Sequence, residues 1–293
     1  MNVLITGKSG QLGRSIQRLI SNFDHYKFTF VGREEFDLSS SESISKYFDA
    51  NSQFDVIINC AAYTSVDRAE EEKDLANDIN HLAVKQLAEF ANSKNVKLIH
   101  ISTDYVFDGR KESPYIESDK PNPINVYGKT KLLGEKAILE IMINNALIIR
   151  TSWVYSEFGN NFVKTMLKLG SKKDEINVVS DQTGSPTYAN DLAMAILNII
   201  SSDNFIKTSF PTEIFHLSNS GETVWSNFAE EIFKFADLNC KVIPIKSEQY
   251  LAVAKRPKSS SLNKTKIIES YRINLIPWRV SLKRCLKKLS KIN

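Results

Sequence analysis

Cysteine and histidine are scarce, and neither sign of charge dominates. Three cysteines stand in 293 residues, and Cys60, Cys240 and Cys285 are too scattered for a disulfide framework or a zinc site. That excludes a disulfide-stapled secreted scaffold and gives a cytoplasmic setting as the expectation. Cys60 lies in the apolar run Val56-Ile57-Ile58-Asn59-Cys60-Ala61-Ala62 and reads as a small buried hydrophobe. The four histidines, His25, His81, His100 and His216, show no metal-ligand spacing. Each reads as structural or surface, and no metal is expected. Lysine and arginine total 38 against 34 acids, so the net charge of +4 does not imply nucleic acid. No apolar run is long enough to span a bilayer. The first residues enter an apolar strand directly, so no signal peptide is expected.

One local imbalance stands at the C-terminus. Arg279, Lys283, Arg284, Lys287, Lys288 and Lys291 have no acid among them, while Leu282, Cys285, Leu286 and Leu289 repeat at helical spacing. The pattern predicts a terminal helix packed on the body with a solvated basic face. Contact with an anionic surface is the alternative.

What is present begins at residue 2. Asn2-Val3-Leu4-Ile5-Thr6 is a strand-length apolar run that enters Gly7-Lys8-Ser9-Gly10-Gln11-Leu12-Gly13. Leu12, Ile16, Leu19 and Ile20 then lie on one helical face. In such a turn one glycine permits the tight bend, one lets backbone approach a diphosphate, and one lets helix and strand pack closely. The helix N-terminus presents free N–H groups to the anion. A glycine-rich loop alone is a weak signal; its place between a first strand and a helix makes a dinucleotide site the better reading.

Further apolar runs near residues 27–32, 54–60, 96–102 and 146–151 alternate with helical patterns, notably 67–93 and 127–143. This alternation predicts an α/β chain with a Rossmann-type doubly wound parallel sheet. We expect a dinucleotide-binding domain over 1–151. A smaller substrate-binding lobe is expected over 152–293, with segments near 176–217 returning to the sheet. Ligands in such sheets bind beyond the carboxyl ends of strands, where Gly7, Asp37, Ala62 and Thr103 stand.

Tyr127 and Lys131, four residues apart, share one face of a predicted helix, and Thr103 ends a preceding strand. That trio can protonate a ketone oxygen while a nicotinamide delivers hydride to carbon. An ammonium near a phenol favours phenolate, and lowering a Tyr pKa by ~2–3 involves roughly 3–4 kcal/mol. Thr103 would orient the same oxygen, and Lys131 would also hold the nicotinamide ribose. Alone, Tyr-x-x-x-Lys is as well explained by an aromatic–basic pair on a surface helix. Beside the glycine turn and Thr103, chemistry explains it better. Arg33 follows the second strand and could accept a 2′-phosphate, so NADPH is the preferred cofactor; Glu34 and Glu35 keep NADH open.

With these motifs, the chain resembles the extended short-chain dehydrogenase/reductase superfamily and, within it, the dTDP-4-dehydrorhamnose reductase family. The resemblance rests on the glycine turn, Ser102-Thr103-Asp104-Tyr105-Val106-Phe107 and Asn125-Val126-Tyr127-Gly128-Lys129-Thr130-Lys131. Arg150-Thr151-Ser152-Trp153-Val154-Tyr155, Gly159-Asn160-Asn161-Phe162, Asp181-Gln182-x-Gly184-x-Pro186-Thr187 and Arg256-Pro257 extend it over nearly the whole chain. It implies NAD(P)H-dependent reduction of the C4 ketone of a nucleotide-linked 4-keto-6-deoxy sugar, giving dTDP-L-rhamnose. It implies that Gly10, Gln11 and Leu12 cradle the pyrophosphate, and that Asp37 and Leu38 flank the adenine. Ala61, Ala62 and Tyr63 would line the cofactor cleft. Thr103 and Asp104 would face the sugar, Trp153 would close over it, and Arg256 could pair with its diphosphate. Read without the resemblance, Trp153 would be a core aromatic, and Arg256 a solvated loop charge.

Some family members place glutamates at a metal-bridged dimer interface; this chain has Ser15 and Asn190 there. A monomer or weak homodimer is therefore the expectation. Two other readings compete. A related 4,6-dehydratase or epimerase shares the Tyr and Lys, but a dehydratase carries Asp-Glu after the Thr, and here Tyr105 follows Asp104. A regulatory subunit that binds NADP without catalysis would not need Thr103, Tyr127 and Lys131. Reductases of other nucleotide-linked 4-keto sugars also stay open.

Overall fold

The apolar runs form strands that lie side by side in parallel. In the computed structural model, which describes residues 1–290, the first half runs β1 (Asn2–Thr6), α1 (Gln11–Leu19), β2 (Lys27–Val31), α2 (Ser41–Ala50), β3 (Val56–Asn59), α3 (Lys73–Asn77), α4 (Ala83–Ser93), β4 (Lys97–Thr103), α5 (Val126–Ile141) and β5 (Ala146–Thr151). There follow β6 (Val154–Tyr155), α6 (Phe162–Gly170), β7 (Glu175–Val179), β8 (Thr183–Gly184), β9 (Thr187–Tyr188), α7 (Ala189–Ile200), α8 (Asp203–Ile206), β10 (Glu213–His216), β11 (Thr223–Val224), α9 (Trp225–Phe235), β12 (Lys241–Ile245), α10 (Thr265–Tyr271) and α11 (Trp278–Leu289).

The central sheet has the order β10-β5-β4-β3-β1-β2, with every pairing parallel. Parallel sheets are covered on both faces, so their strands read as continuous apolar runs. All four residues of β3 are buried. One face packs α1 and α7 through Leu12, Ile16, Leu192 and Ile196; the other packs α2, α4 and α5 through Ile44, Phe48, Leu87 and Ile138. The chain leaves β1 for β2 on one side and reaches β3 on the other. The gap between the ends of β1 and β3 is thus the point where ligands bind in such sheets. There the Thr6 hydroxyl donates to Asn59 Oδ1 (2.6 Å) and accepts from the Ala61 N–H (3.2 Å).

Three features differ from the expectations. The 67–93 stretch is not one helix. Its middle, Asp78–Leu82, is a π-helical turn between α3 and α4. That turn seats Asn80, whose side chain bonds both Tyr63 backbone groups (2.9 and 3.0 Å) and the Thr130 hydroxyl (3.2 Å). Gly134 of α5 packs so closely on it that a Cβ would stand 2.3 Å from the Asn80 oxygen. A π-turn at such a crossing is the usual mark of a functional constraint. Within 176–217, β10 joins the sheet edge beside β5 and α7 covers one face, but β7 pairs with β12 away from the sheet. Cys60 is only partly buried and forms part of a cleft wall.

A separate cluster, including Tyr155, Val163, Met166, Phe228, Ile232 and Trp278, forms the core of the second lobe. Leu282, Cys285, Leu286 and Leu289 of α11 are buried in it, while Lys283, Arg284 and Lys287 face solvent. Lys291 lies outside the described residues. No helix among the described residues is long and apolar enough to cross a membrane.

Candidate active site

A cleft of about 990 Å³ opens along the carboxyl ends of the strands, between the sheet and the second lobe. Its floor is the first turn. Gly7 takes φ +74°, which only glycine adopts freely, and a Cβ on Gly13 would stand 2.2 Å from the Gly7 oxygen. Gly10 caps α1 in an extended conformation without a side-chain hydrogen bond, and the first helical turn holds no acid. The α1 N–H groups therefore face the cleft uncompensated, the arrangement that receives a diphosphate. The Gln11 side chain turns aside. It donates to the Val154 carbonyl (3.3 Å) and accepts from Ser156 Oγ (2.9 Å) and Asn161 Nδ2 (3.0 Å), tying the turn to the second lobe.

Arg33 stands at the cleft mouth with its side chain 69% exposed and its Nε 3.6 Å from Asp37 Oδ1. Partial burial pushes the Asp37 carboxyl upward. Hydrogen bonds from the Ser39 N–H (2.9 Å) and hydroxyl (2.8 Å), with the Arg33 charge, outweigh that push and hold it below its usual value. Arg33 is thus an exposed cation beside a hydrogen-bonded anion, suited to a 2′-phosphate. A dinucleotide fits this set of uncapped helix N-terminus, glycine floor and exposed guanidinium.

Further along, Thr103, Asp104, Tyr127 and Lys131 line the same cleft. Asn125 caps α5 by accepting from the Gly128 N–H (2.7 Å), which starts the helix just before Tyr127. One turn later Lys131 points inward. Its Nζ donates to the Ile101 carbonyl (2.7 Å) and lies 3.0 Å from His100 Nε2. The sequence led us to expect that this ammonium lowers the Tyr127 phenol. Burial prevails instead: it pushes Tyr127 up to about 12, with Thr103 pulling against it and Asp104 adding to it. Burial likewise pulls Lys131 down to about 8, against the favourable charge of Glu135. Burial raises the Asp104 carboxyl to about 7, against the hydrogen bond from Thr103. Asp104 Oδ1 accepts from Thr103 Oγ1 (3.0 Å), while its Oδ2 is buried without a hydrogen-bond partner among the described residues.

Gly7, Gly10, Gln11, Leu12, Arg33, Asp37, Leu38, Ala61, Ala62, Tyr63 and Trp153 line this cleft as well. Two sequence-predicted residues do not. Gly13 packs beneath, against Gly7. Arg256 donates to Asp67 (2.6 Å) and to the Ala254 carbonyl (3.0 Å). Trp153 is partly buried: it packs against the core of the second lobe and also lines the cleft. It holds φ +48°, rare for a bulky residue, and stacks on Trp225 with centroids 3.5 Å apart. Trp225 and Phe162 complete that wall and were not assigned to it; Phe162 ends the Gly159-Asn160-Asn161-Phe162 motif without a role attached, and Trp225, in a later helix, carried no motif. His100, which reaches Lys131 from behind, and Asn59, which meets the far side of its ring, were also missed, since neither strand position carried a motif.

Residues 1–291 match the family model described as RmlD substrate binding domain. A dTDP-4-dehydrorhamnose reductase of Sinorhizobium fredii is 40% identical over 288 residues, covering 97% of this chain and 96% of its own. Among solved structures, a dTDP-4-dehydrorhamnose reductase of Clostridium acetobutylicum aligns with TM-score 0.91 at 39% identity, over 99% of this chain and 100% of its own. Another, from Bacillus anthracis and in complex with NADP, aligns with TM-score 0.90 at 37% identity, over 98% and 99%. With its glycine floor, its Thr103, Tyr127 and Lys131 in one cleft, and this likeness along its length, the chain belongs to the dTDP-4-dehydrorhamnose reductase family.

Proposed function

We propose that this protein reduces the C4 ketone of dTDP-4-dehydro-L-rhamnose to dTDP-L-rhamnose with NADPH. The observation that carries the reading is the single cleft in which an uncapped helix N-terminus and an exposed Arg33 meet Thr103, Tyr127 and Lys131. Bound NADPH supplies the hydride. Gly7, Gly10, Leu12 and the Gln11 backbone hold its diphosphate, and Gly13 keeps α1 close enough to do so. Asp37 and Leu38 flank its adenine, Arg33 takes its 2′-phosphate, and Ala61, Ala62 and Tyr63 form the wall opposite. Thr103 and Tyr127 hydrogen-bond the ketone oxygen. As hydride reaches the carbon, the Tyr127 phenol gives its proton to the oxygen and regains one from solvent. Lys131 holds the cofactor ribose and supplies positive charge beside the forming phenolate. Asp104 faces the sugar, with its free Oδ2 available as donor or acceptor. Trp153 and Trp225 cover the sugar and exclude water. Arg256 pairs with the substrate diphosphate by turning from Asp67, its partner here.

A monomer or weak homodimer accompanies this reading. The Ser15 hydroxyl is spent on the Gln11 carbonyl (2.8 Å), and Asn190 Oδ1 accepts from Lys288 (3.3 Å). A cytoplasmic setting is expected from the three scattered thiols.

The test is turnover of freshly generated dTDP-4-dehydro-L-rhamnose with NADPH and with NADH, following nicotinamide oxidation and product identity. Rapid oxidation to dTDP-L-rhamnose, faster with NADPH, supports the reading. A folded protein that binds NADPH and oxidises none overturns it in favour of another 4-keto sugar or a regulatory role. The pH dependence adds a sharper expectation. kcat/KM for NADPH reports the free enzyme. It should fall as pH rises through about 8, where Lys131 loses its proton. Tyr127, at about 12, stays protonated throughout that range and sets no limb. A profile flat through the Lys131 value contradicts the assignment of Lys131.

A further inference from the structure

Behind Lys131 runs a buried polar chain that crosses three strands, from the ends of β1 and β3 to the middle of β4. Thr6 of β1 donates to Asn59 Oδ1 of β3 (2.6 Å), Asn59 Nδ2 meets His100 Nδ1 of β4 (3.0 Å), and His100 Nε2 meets Lys131 Nζ of α5 (3.0 Å). Asn59 and His100 are fully buried, and Lys131 and Thr6 nearly so. Such a chain costs desolvation at every link and stabilises only when every link is made. A packed apolar set at these positions would fold as well, so the hydrogen bonds point to a task.

We propose that His100, anchored by Asn59 and Thr6, is a positioning residue for Lys131, holding Nζ at the cleft wall and favouring its charged form by accepting a hydrogen bond. This rests on the reading of Lys131 as the lysine that serves cofactor and proton transfer. Lys131 has three N–H donors when charged. Two point back, to Ile101 O and His100 Nε2, which leaves one for the cleft.

The chain has two proton orders. With Lys131 charged, Nε2 accepts, the ring proton sits on Nδ1, and the Asn59 oxygen must receive it. With Lys131 neutral, Nε2–H donates to the amine, and Nδ1 accepts from the Asn59 amide; this is the amide orientation in which Thr6 donates to Asn59 Oδ1, and the charged order turns it over so that Asn59 Nδ2 faces Thr6. The two orders differ by one proton at Nζ, a tautomer exchange in the ring and a half-turn of the amide. The ring itself stays neutral in both, because burial and the adjacent ammonium oppose a second charge. The other ionisable groups near Lys131 are Tyr127 and Glu135 on α5, with Arg150 of β5 neutralising Glu135. Cys60 follows β3, and Asp104 and Tyr105 follow β4.

The first test needs no variant: ring ¹⁵N shifts of His100 in the labelled full-length protein between about pH 6 and 10. A neutral ring whose two nitrogens exchange protonated character as Lys131 titrates is expected. Constant shifts, or formation of an imidazolium, overturn the proposal. The second test is kinetic. His100→Leu should lower kcat roughly tenfold and move the alkaline limb of kcat/KM for NADPH about one pH unit down. His100→Gln, whose amide oxygen can accept from Nζ, should restore most of both. Equal losses in the two variants with an unmoved limb would reduce His100 to a packing role and overturn the proposal, as would an unchanged Leu variant. If His100→Leu does not fold, the ring shifts decide. A wild-type protein that turns over no sugar would sink the proposed function, while the ring titration still judges this one.

Discussion

Tyr127→Phe is expected to lower kcat by about 10²–10⁴-fold while leaving NADPH affinity within a few-fold of wild type. The change removes one oxygen and little else. The ring keeps its edge-to-face packing on Tyr105, with centroids 5.8 Å apart at 75°. α5 keeps its Asn125 cap, and Lys131 keeps its bonds to Ile101 and His100. What is lost is the phenol that shares the cleft with Thr103 and stands one helical turn before Lys131. Asp104, whose carboxyl burial raises, is a substitute donor in the same cleft, but its Oδ1 is engaged with Thr103. A loss in that range corresponds to roughly 3–5 kcal/mol of barrier. Isothermal titration with NADPH and single-turnover reduction of the ketone separate binding from chemistry. A phenylalanine variant that turns over within a few-fold of wild type would remove Tyr127 from the proton path. Thr103→Val should cost less, because it removes orientation and not the proton.

The parts of this site that depend on a short stretch of chain were legible in the sequence. The glycine turn is one such part, since a tight bend, a close helix packing and an open helix N-terminus all need small residues within seven positions. The Tyr127 and Lys131 pair is another, because four residues of helix place two side chains on one face whatever the surroundings. The central strands were legible because burial on both faces requires unbroken apolar runs. Tertiary contact set the rest. The π-turn at Asp78–Leu82 exists because Asn80 must reach both Tyr63 and Thr130, and no periodicity announces it. β7 looked like a sheet strand, yet its partner is β12, some sixty residues on, and register with a distant strand leaves no local trace. Trp153 was placed at the site by the resemblance alone, because nothing local reveals its left-handed backbone or its stacking on Trp225. The direction of the phenol shift was misjudged because residue spacing carries no information on desolvation, which dominates it.

The largest stability effect is expected at Glu135→Ala. Glu135 lies one turn beyond Lys131 and joins α5 to β5 through two hydrogen bonds from Arg150, at 2.9 and 2.6 Å. The Ser102 hydroxyl donates to the same carboxylate at 2.5 Å, so β4 is tied in as well. Both charged side chains are 1% exposed. Attraction in such a site roughly offsets the cost of desolvating both ions, so the pair as a whole contributes little net stability. Removing one partner is different. Alanine leaves the Arg150 guanidinium buried and uncompensated; its Nη1 already lacks a partner, and the Phe107 ring 5.1 Å away is its remaining favourable contact. The expected loss is about 3–5 kcal/mol, which lowers Tm by roughly 10 °C in a chain of this size. Because the same helix carries Tyr127 and Lys131, kcat should fall even where the variant is folded. The double change Glu135→Leu with Arg150→Met, which takes both ions out of the core, should recover much of the lost stability. Thermal unfolding of the single and double variants makes the comparison. If the double variant is as unstable as Glu135→Ala, uncompensated charge is not the cause and the loss lies in packing. The exposed pair Lys46–Glu42 has both side chains 75% exposed, and its removal should leave the transition unmoved.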